Sequence, residues 1–152
     1  MKFSVKTNLL PNKEEIVLHN DMSFGSKHHR EHWDFQISLN LFSSFNLNID
    51  TNDLRCTVTE GFFPGRGPNL RLIRINDSIP CSMYVNPNKK IVQYGGAESL
   101  LKNHTISYDE GNQILAIGDI DKELPLYQFG IGQFVKVSDN GELIAVYVKF
   151  SN

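Results

Sequence analysis

Between residues 33 and 49 apolar and polar positions alternate: Trp33, Phe35, Ile37, Leu39 and Leu41 are separated by Asp34, Gln36, Ser38 and Asn40, and the phase continues through Phe45, Leu47 and Ile49. Successive side chains of a strand point to opposite faces, so a period of two predicts a half-buried strand with Trp33 as its first core anchor. One strand over this stretch would run about 55 Å at roughly 3.3 Å per residue, longer than the roughly 40 Å diameter of a compact chain this size. It must therefore fold back near Ser43 and Ser44. A two-residue turn on the serines sets Phe42 against Phe45 and Leu41 against Asn46, mixing apolar and polar groups on one face. A three-residue loop, Phe42 to Ser44, instead sets Leu41 against Phe45 and Leu39 against Leu47, and is the expected hairpin; a bulged bend is the alternative.

Short runs rich in β-branched and aromatic residues predict further strands over 54–60, 69–76, 81–86, 90–94, 105–109 and 113–118. Asn86-Pro87-Asn88 and Asp109-Glu110-Gly111-Asn112 are the expected connections at two of their boundaries. In FVKVSDNGELIAVYVKF, Asp139-Asn140-Gly141 predicts a tight hairpin turn with positive φ values. The last strand carries Ile144, Val146, Val148 and Phe150 on one face and Leu143, Ala145 and Tyr147 on the other, which predicts a central strand. Helix is scarce: one short helix is expected near 96–103, with 12–18 and 120–126 as lesser candidates. The pattern as a whole is that of a mainly β, antiparallel sandwich or strongly curved sheet with one small helix.

Composition agrees with one domain over 1–152. The chain has 152 residues, 40% of them hydrophobic, enough to form a core without metal or disulfide help. Cys56 and Cys81 follow no secretory pattern, so reduced core thiols and a cytoplasmic location are expected. No apolar run approaches the roughly 18 residues of a membrane helix, and no membrane association or cofactor is expected.

The formal net charge of −2 argues against a dedicated nucleic-acid binder. Its distribution is uneven. Residues 1–99 hold 11 Lys/Arg and 10 Asp/Glu, net +1, whereas residues 100–152 hold 4 and 7, net −3. Asp109, Glu110, Asp119, Asp121 and Glu123 carry most of that acidity, as a solvated face or as a docking surface for a basic protein partner.

Two segments bear candidate chemistry. His28-His29-Arg30-Glu31-His32 matches H-x-x-E-H, a zinc-peptidase pattern. That chemistry needs a helix, so that the end histidines share one metal while the glutamate activates water, and here a strand pattern begins at Trp33. His28, His32 and Asp34 are retained only as a weak metal or contact patch beside that strand. The second segment, EGFFPGRGPNLRLIR, is a Gly/Pro-rich loop that lacks the Gly-Lys-Ser/Thr ending of a phosphate loop. It carries Phe62, Phe63 and Arg66, residue types enriched at protein interfaces. Arg55, Arg66, Arg71 and Arg74 could alternatively form a basic strip for nucleic acid. His19 and His104 are isolated. The Asn103-His104-Thr105 sequon has meaning only in a secreted chain. No catalytic arrangement assembles.

The stretches ISYDEGNQILAIG and GQFVKVSDNGELIAVYVKF resemble a small uncharacterised bacterial β domain. The chain as a whole resembles bacterial toxin-immunity proteins, such as those of contact-dependent growth inhibition, being short, Asn- and Phe-rich and without catalytic residues. That resemblance implies an inhibitory, protein-binding module rather than an enzyme, one that serves bacterial competition by covering the cleft of a toxin, often a basic nuclease. The acidic residues would then steer the encounter, and Phe62, Phe63 and Arg66 would anchor it.

Overall fold

A computed structural model describes residues 1–27, 36–64, 67–86 and 99–151. These residues contain fourteen strands and no helix: β1 (Phe3–Lys6), β2 (Ile16–Leu18), β3 (Ser23–Ser26), β4 (Gln36–Phe42), β5 (Phe45–Asp50), β6 (Cys56–Phe62), β7 (Asn69–Leu70), β8 (Ile79–Pro80), β9 (Ser82–Val85), β10 (Ile106–Asp109), β11 (Ile114–Gly118), β12 (Tyr127–Gly130), β13 (Gln133–Val137) and β14 (Leu143–Lys149). A seven-stranded sheet runs β7-β10-β11-β14-β13-β12-β8, a five-stranded sheet runs β2-β3-β6-β5-β4, and β1 pairs with β9. Strand neighbours are antiparallel except at the two edges of the larger sheet, where β7 runs parallel to β10 and β8 to β12. All three sheets are open rather than closed into a barrel. Among the described residues no helix is long and apolar enough to cross a membrane.

The inner faces share one core. Phe24, Leu39, Phe45 and Leu47 from the smaller sheet, Leu115, Phe129 and Val146 from the larger, and Phe3 and Met83 from the third pack into a single cluster. The mainly β sandwich is therefore borne out. β14 lies between β11 and β13 and is apolar on both faces, as a central strand must be. Val146 and Val148 enter the inner core, while Ala145 and Tyr147 join an outer cluster with Ile73, Ile114, Ala116, Leu126 and Phe134. Ile73 and Leu126 come from two arms, residues 71–78 and 119–126, that cross the outer face without strand structure.

The β4–β5 hairpin reconciles two registers. Leu39 faces Leu47 and Ile37 faces Ile49, yet the turn uses Ser43 and Ser44 alone, so that Phe42 faces Phe45. A bulge between Asn40 and Phe42 absorbs the extra residue and leaves Leu41 fully buried. The two-residue turn rejected on pattern grounds is thus compatible with the apolar register once the ladder is bulged. In the β13–β14 turn, Gly141 takes φ +83° but Asn140 stays negative, and a register shift at Lys136/Val137 accompanies it. That is a bulged turn rather than one with two positive φ values.

The expected helix near 96–103 differs where it can be followed. Over 99–103 the chain is not helical; the Leu100 and Leu101 amides donate to the Asn40 and Leu41 carbonyls at 2.9 and 3.1 Å, lying along the edge of β4. Residues 12–18 and 120–126 are not helical either. Residues 96–98, the expected strand 90–94, Pro87 and Asn88 of the expected turn, and Trp33 lie outside the described residues. Side-chain amides join the two large sheets. Gln133 of β13, fully buried, accepts from the Thr59 amide at 2.7 Å and donates to the Thr57 carbonyl at 3.0 Å. Asn12 donates to the same carbonyl at 2.8 Å. Together they occupy the side of β6 that β3 does not reach.

Candidate functional site

The strongest concentration of candidate residues lies where β10 ends. Asp109 and Asn112 close the β10–β11 turn, as their spacing predicts: the Asp109 carboxylate accepts from the Asn112 amide at 3.1 Å and from its side chain at 2.8 Å. It also accepts from the Ile73 amide at 2.9 Å, pinning the first arm to the turn. Asp109 is only 6% exposed, so its role is internal, and these bonds hold its carboxyl below the usual carboxylate range. Glu110, the next residue, is exposed.

The second arm carries the rest of the acidity. It leaves β11 at Gly118, with Asp119 half-buried and Asp121 and Glu123 exposed. Arg71 joins the arms through a two-pronged pair, Nη1 to Asp121 Oδ2 at 3.0 Å and Nη2 to Oδ1 at 2.8 Å. The bond from Arg71 keeps the Asp121 carboxyl low. Beneath the arms lies a groove of about 590 Å³ lined by Arg74, Asn76, Asp77, Leu124, Lys136 and Tyr147, among others. Lys136 Nζ donates to the Ile120 and Lys122 carbonyls at 2.7 and 2.8 Å, tying the acidic arm to the sheet. Burial lowers its pKa and pushes the Tyr147 phenol up.

The loop aromatics meet this region from the inner side. Phe63 packs edge-on against Tyr108 with ring centroids 4.7 Å apart, one residue before Asp109. Tyr108 in turn faces Leu70 across the parallel β7–β10 ladder. Phe62 is 56% exposed and pairs with Ser23, beside Met22 at 46% exposure. The structure thus brings Phe63 and Glu110 to the two sides of the Tyr108–Asp109 end of β10 and ties Asp121 to Arg71 beside it, whereas Asp119 follows Gly118 at the opposite end of the β10–β11 hairpin. Arg66 lies outside the described residues, as do His28, His32 and Asp34. Among the described residues no three His, Cys, Asp or Glu side chains converge as a metal site would require.

Of the arginines expected to form a strip, Arg55 and Arg71 stand apart, and Arg66 lies outside the described residues. Arg71 is committed to Asp121, and Arg55 reaches the Leu10 carbonyl at 2.8 Å from a different part of the fold, where its backbone bridges Tyr84. His104 stacks on Phe42 at 3.9 Å. Cys56 and Cys81 are buried free thiols, and burial pushes Cys81 up to about 11, which keeps it protonated and unreactive at neutral pH.

Two contributors escaped the sequence reading. Alternation in NLRLIRIN suggests leucines turned inward, but Leu70 and Leu72 are 70% and 61% exposed while Ile73 is buried. The signal was the run of apolar residues on successive positions, Leu72-Ile73, which one strand cannot bury on a single face. Compared with known proteins, the chain matches no family model and no curated protein.

Acid should loosen this region first. Asp109 and Asp121 titrate below their unfolded value, so their contribution to stability is intact above about pH 4 and is lost as pH falls through the folded values. Urea melts between pH 5 and 2 should show a declining midpoint, with a shallower decline in Asp109→Asn. An unchanged slope in that variant would assign the acid response elsewhere.

Proposed function

We propose that this chain is a protein-binding, inhibitory module of the toxin-immunity kind, acting in the cytoplasm on a basic partner domain and without catalysis or cofactor of its own. One observation carries the reading: the exposed apolar side chains Leu70 and Leu72 flank Arg71, which holds the exposed carboxylate of Asp121, beside the β10 turn that presents exposed Glu110, with exposed Phe62 next to the Phe63 that packs on Tyr108. Apolar anchors ringed by charge suit recognition, since the anchors slow dissociation while the charge steers encounter. A groove whose lysine and tyrosine are held by backbone carbonyls offers little to a reaction. Covering a toxin's basic cleft needs only shape and opposite charge.

The test is binding to a toxin domain encoded beside this chain. The double variant Asp119→Lys/Glu123→Lys should slow association about tenfold at low salt, with dissociation little changed; Phe62→Ala should act mainly on dissociation. Surface plasmon resonance at two salt concentrations separates the two. Absence of any complex between the wild-type proteins would overturn the proposal.

A further inference from the structure

The edges of the two large sheets are not alike. The β4 edge is occupied by the Leu100 and Leu101 amides. The β2 edge is closed by Ser151, which donates through its amide to the Ile16 carbonyl at 3.0 Å, and by the Glu15–Ile131 bridge. At the β8 edge, Ile79 and Cys81 turn their amides inward to Leu126 and Gln128, so the outward position falls to Pro80, which has no N–H to offer. Proline, covering segments and short strands are the usual protections of sheet edges.

β7 is short and is preceded by Pro68, but from Leu70 onward no proline or described segment covers its outer side. The Arg71 amide donates to the Tyr108 carbonyl at 3.1 Å, and the Ile73 amide to Asp109, so residues 71 and 73 direct their backbone groups inward. Alternation then turns the N–H and C=O of Leu70 and Leu72 outward, two donor–acceptor pairs about 7 Å apart along an extended backbone. No described residue bonds them. The segment is already held in place by the Arg71–Asp121 pair, the Asp109 bond and buried Ile73, so a strand docking there would not have to order it. Leu70 and Leu72, both largely exposed, stand on the side of Tyr108 and Phe63; Arg71 and Ile73 take the other.

We propose that the outer side of β7 accepts an extended strand from a protein partner, which adds an eighth strand to the larger sheet. Backbone pairing supplies the affinity, as in other strand-addition complexes, and alternate side chains supply the selectivity. Positions over Leu70 and Leu72 take apolar residues. The carboxylate of Glu110, next to the Asp109 that binds the Ile73 amide and with no cation within ion-pair distance among the described residues, favours lysine or arginine between them. This deepens the protein-binding reading and depends on it only for the source of the strand.

The probe is a fluorescent eight-residue peptide of alternating lysine and valine, followed by polarisation. It should bind the intact protein. A glutamate–valine counterpart, and the lysine–valine peptide N-methylated at every second residue, should each bind at least about tenfold more weakly, the latter because it has lost one row of N–H donors. Leu72→Pro deletes an outward N–H while sparing the inward bonds of Arg71 and Ile73, and should weaken binding to a similar degree. Should that variant unfold, the N-methylated peptide on the unaltered protein decides alone.

No binding, or binding indifferent to N-methylation, overturns the inference. So does sedimentation showing that the edge is taken by a second copy of this chain. Equal binding of a cognate toxin domain to wild type and Leu72→Pro would remove strand addition and leave the protein-binding reading standing. Peptide binding without any toxin complex would do the reverse.

Discussion

Replacing Gln133 with leucine should lower the unfolding free energy by about 2–4 kcal/mol, although leucine is the more hydrophobic residue. The side chain is fully buried and acts as a ladder partner for β6, accepting from Thr59 and donating to Thr57. Leucine leaves the Thr59 amide buried with nothing to accept it, and an orphaned backbone donor costs more than an average hydrogen bond contributes. The Thr57 carbonyl suffers less, because Asn12 still donates to it at 2.8 Å. Gln133→Glu sharpens the case: it keeps an acceptor for Thr59 but turns a donor toward Thr57 into a second acceptor, inside a desolvated site. Both variants should melt earlier in urea with little change in m-value. A loss below about 0.5 kcal/mol for leucine, the size of an ordinary surface substitution, would mean that the two sheets are joined by apolar packing alone.

That joint also shows where sequence reading reaches its limit. Period-two alternation located β4, β5, β11 and β14, because each places a run of large apolar groups on a face that the core must cover. It located the central position of β14 for the same reason. β1, β2, β3, β8 and β12 were not found: each is two to four residues long, too short for a period to register, and each exists through partners distant in sequence, such as Ser82–Val85 for Phe3–Lys6. A glutamine that closes a ladder has the same letter as one in solvent. The short helix expected from GGAESLLKN rested on local propensity; at Leu100 and Leu101 the pull of an unpaired sheet edge prevails over it.

The candidate site was legible in charge and unreadable in role. Five acidic residues were grouped by their place in the last third of the chain, and the structure separates them. Asp109 is consumed by its own turn and by Ile73, whereas its neighbour Glu110 is left to solvent. Asp121 is divided between the surface and Arg71, a partner fifty residues away. Composition cannot make that distinction, because a carboxylate that caps a turn and one that meets a partner have the same charge. Phe62 and Phe63 were likewise one feature in sequence, yet at the end of β6 they part, so that Phe62 is exposed and Phe63, just past the strand, packs on Tyr108.

The largest joint effect on fold and binding is expected at Gly118. Its φ of +105° lies where side chains are rarely tolerated, and it turns the chain out of β11 into the arm bearing Asp119, Asp121 and Glu123. A Cβ there would collide with the Ile144 carbonyl oxygen and stand 3.0 Å from the Ala145 Cα, both backbone of the central strand and unable to swing aside. Gly118→Ala should therefore cost about 2–4 kcal/mol, the sum of an unfavourable φ and a backbone clash. Relief can come only by moving the arm, since β14 is fixed on both sides. The arm would then pull against the Lys136 bonds and the Arg71–Asp121 pair, displacing the carboxylates proposed to steer a basic partner. Gly67→Ala, with nothing within 4 Å of the added methyl, is the control and should leave stability unchanged. If Gly118→Ala folds with wild-type stability, the backbone must relax at that corner without strain. If it folds weakly but associates at the wild-type rate, the acidic arm is not the surface that meets the partner.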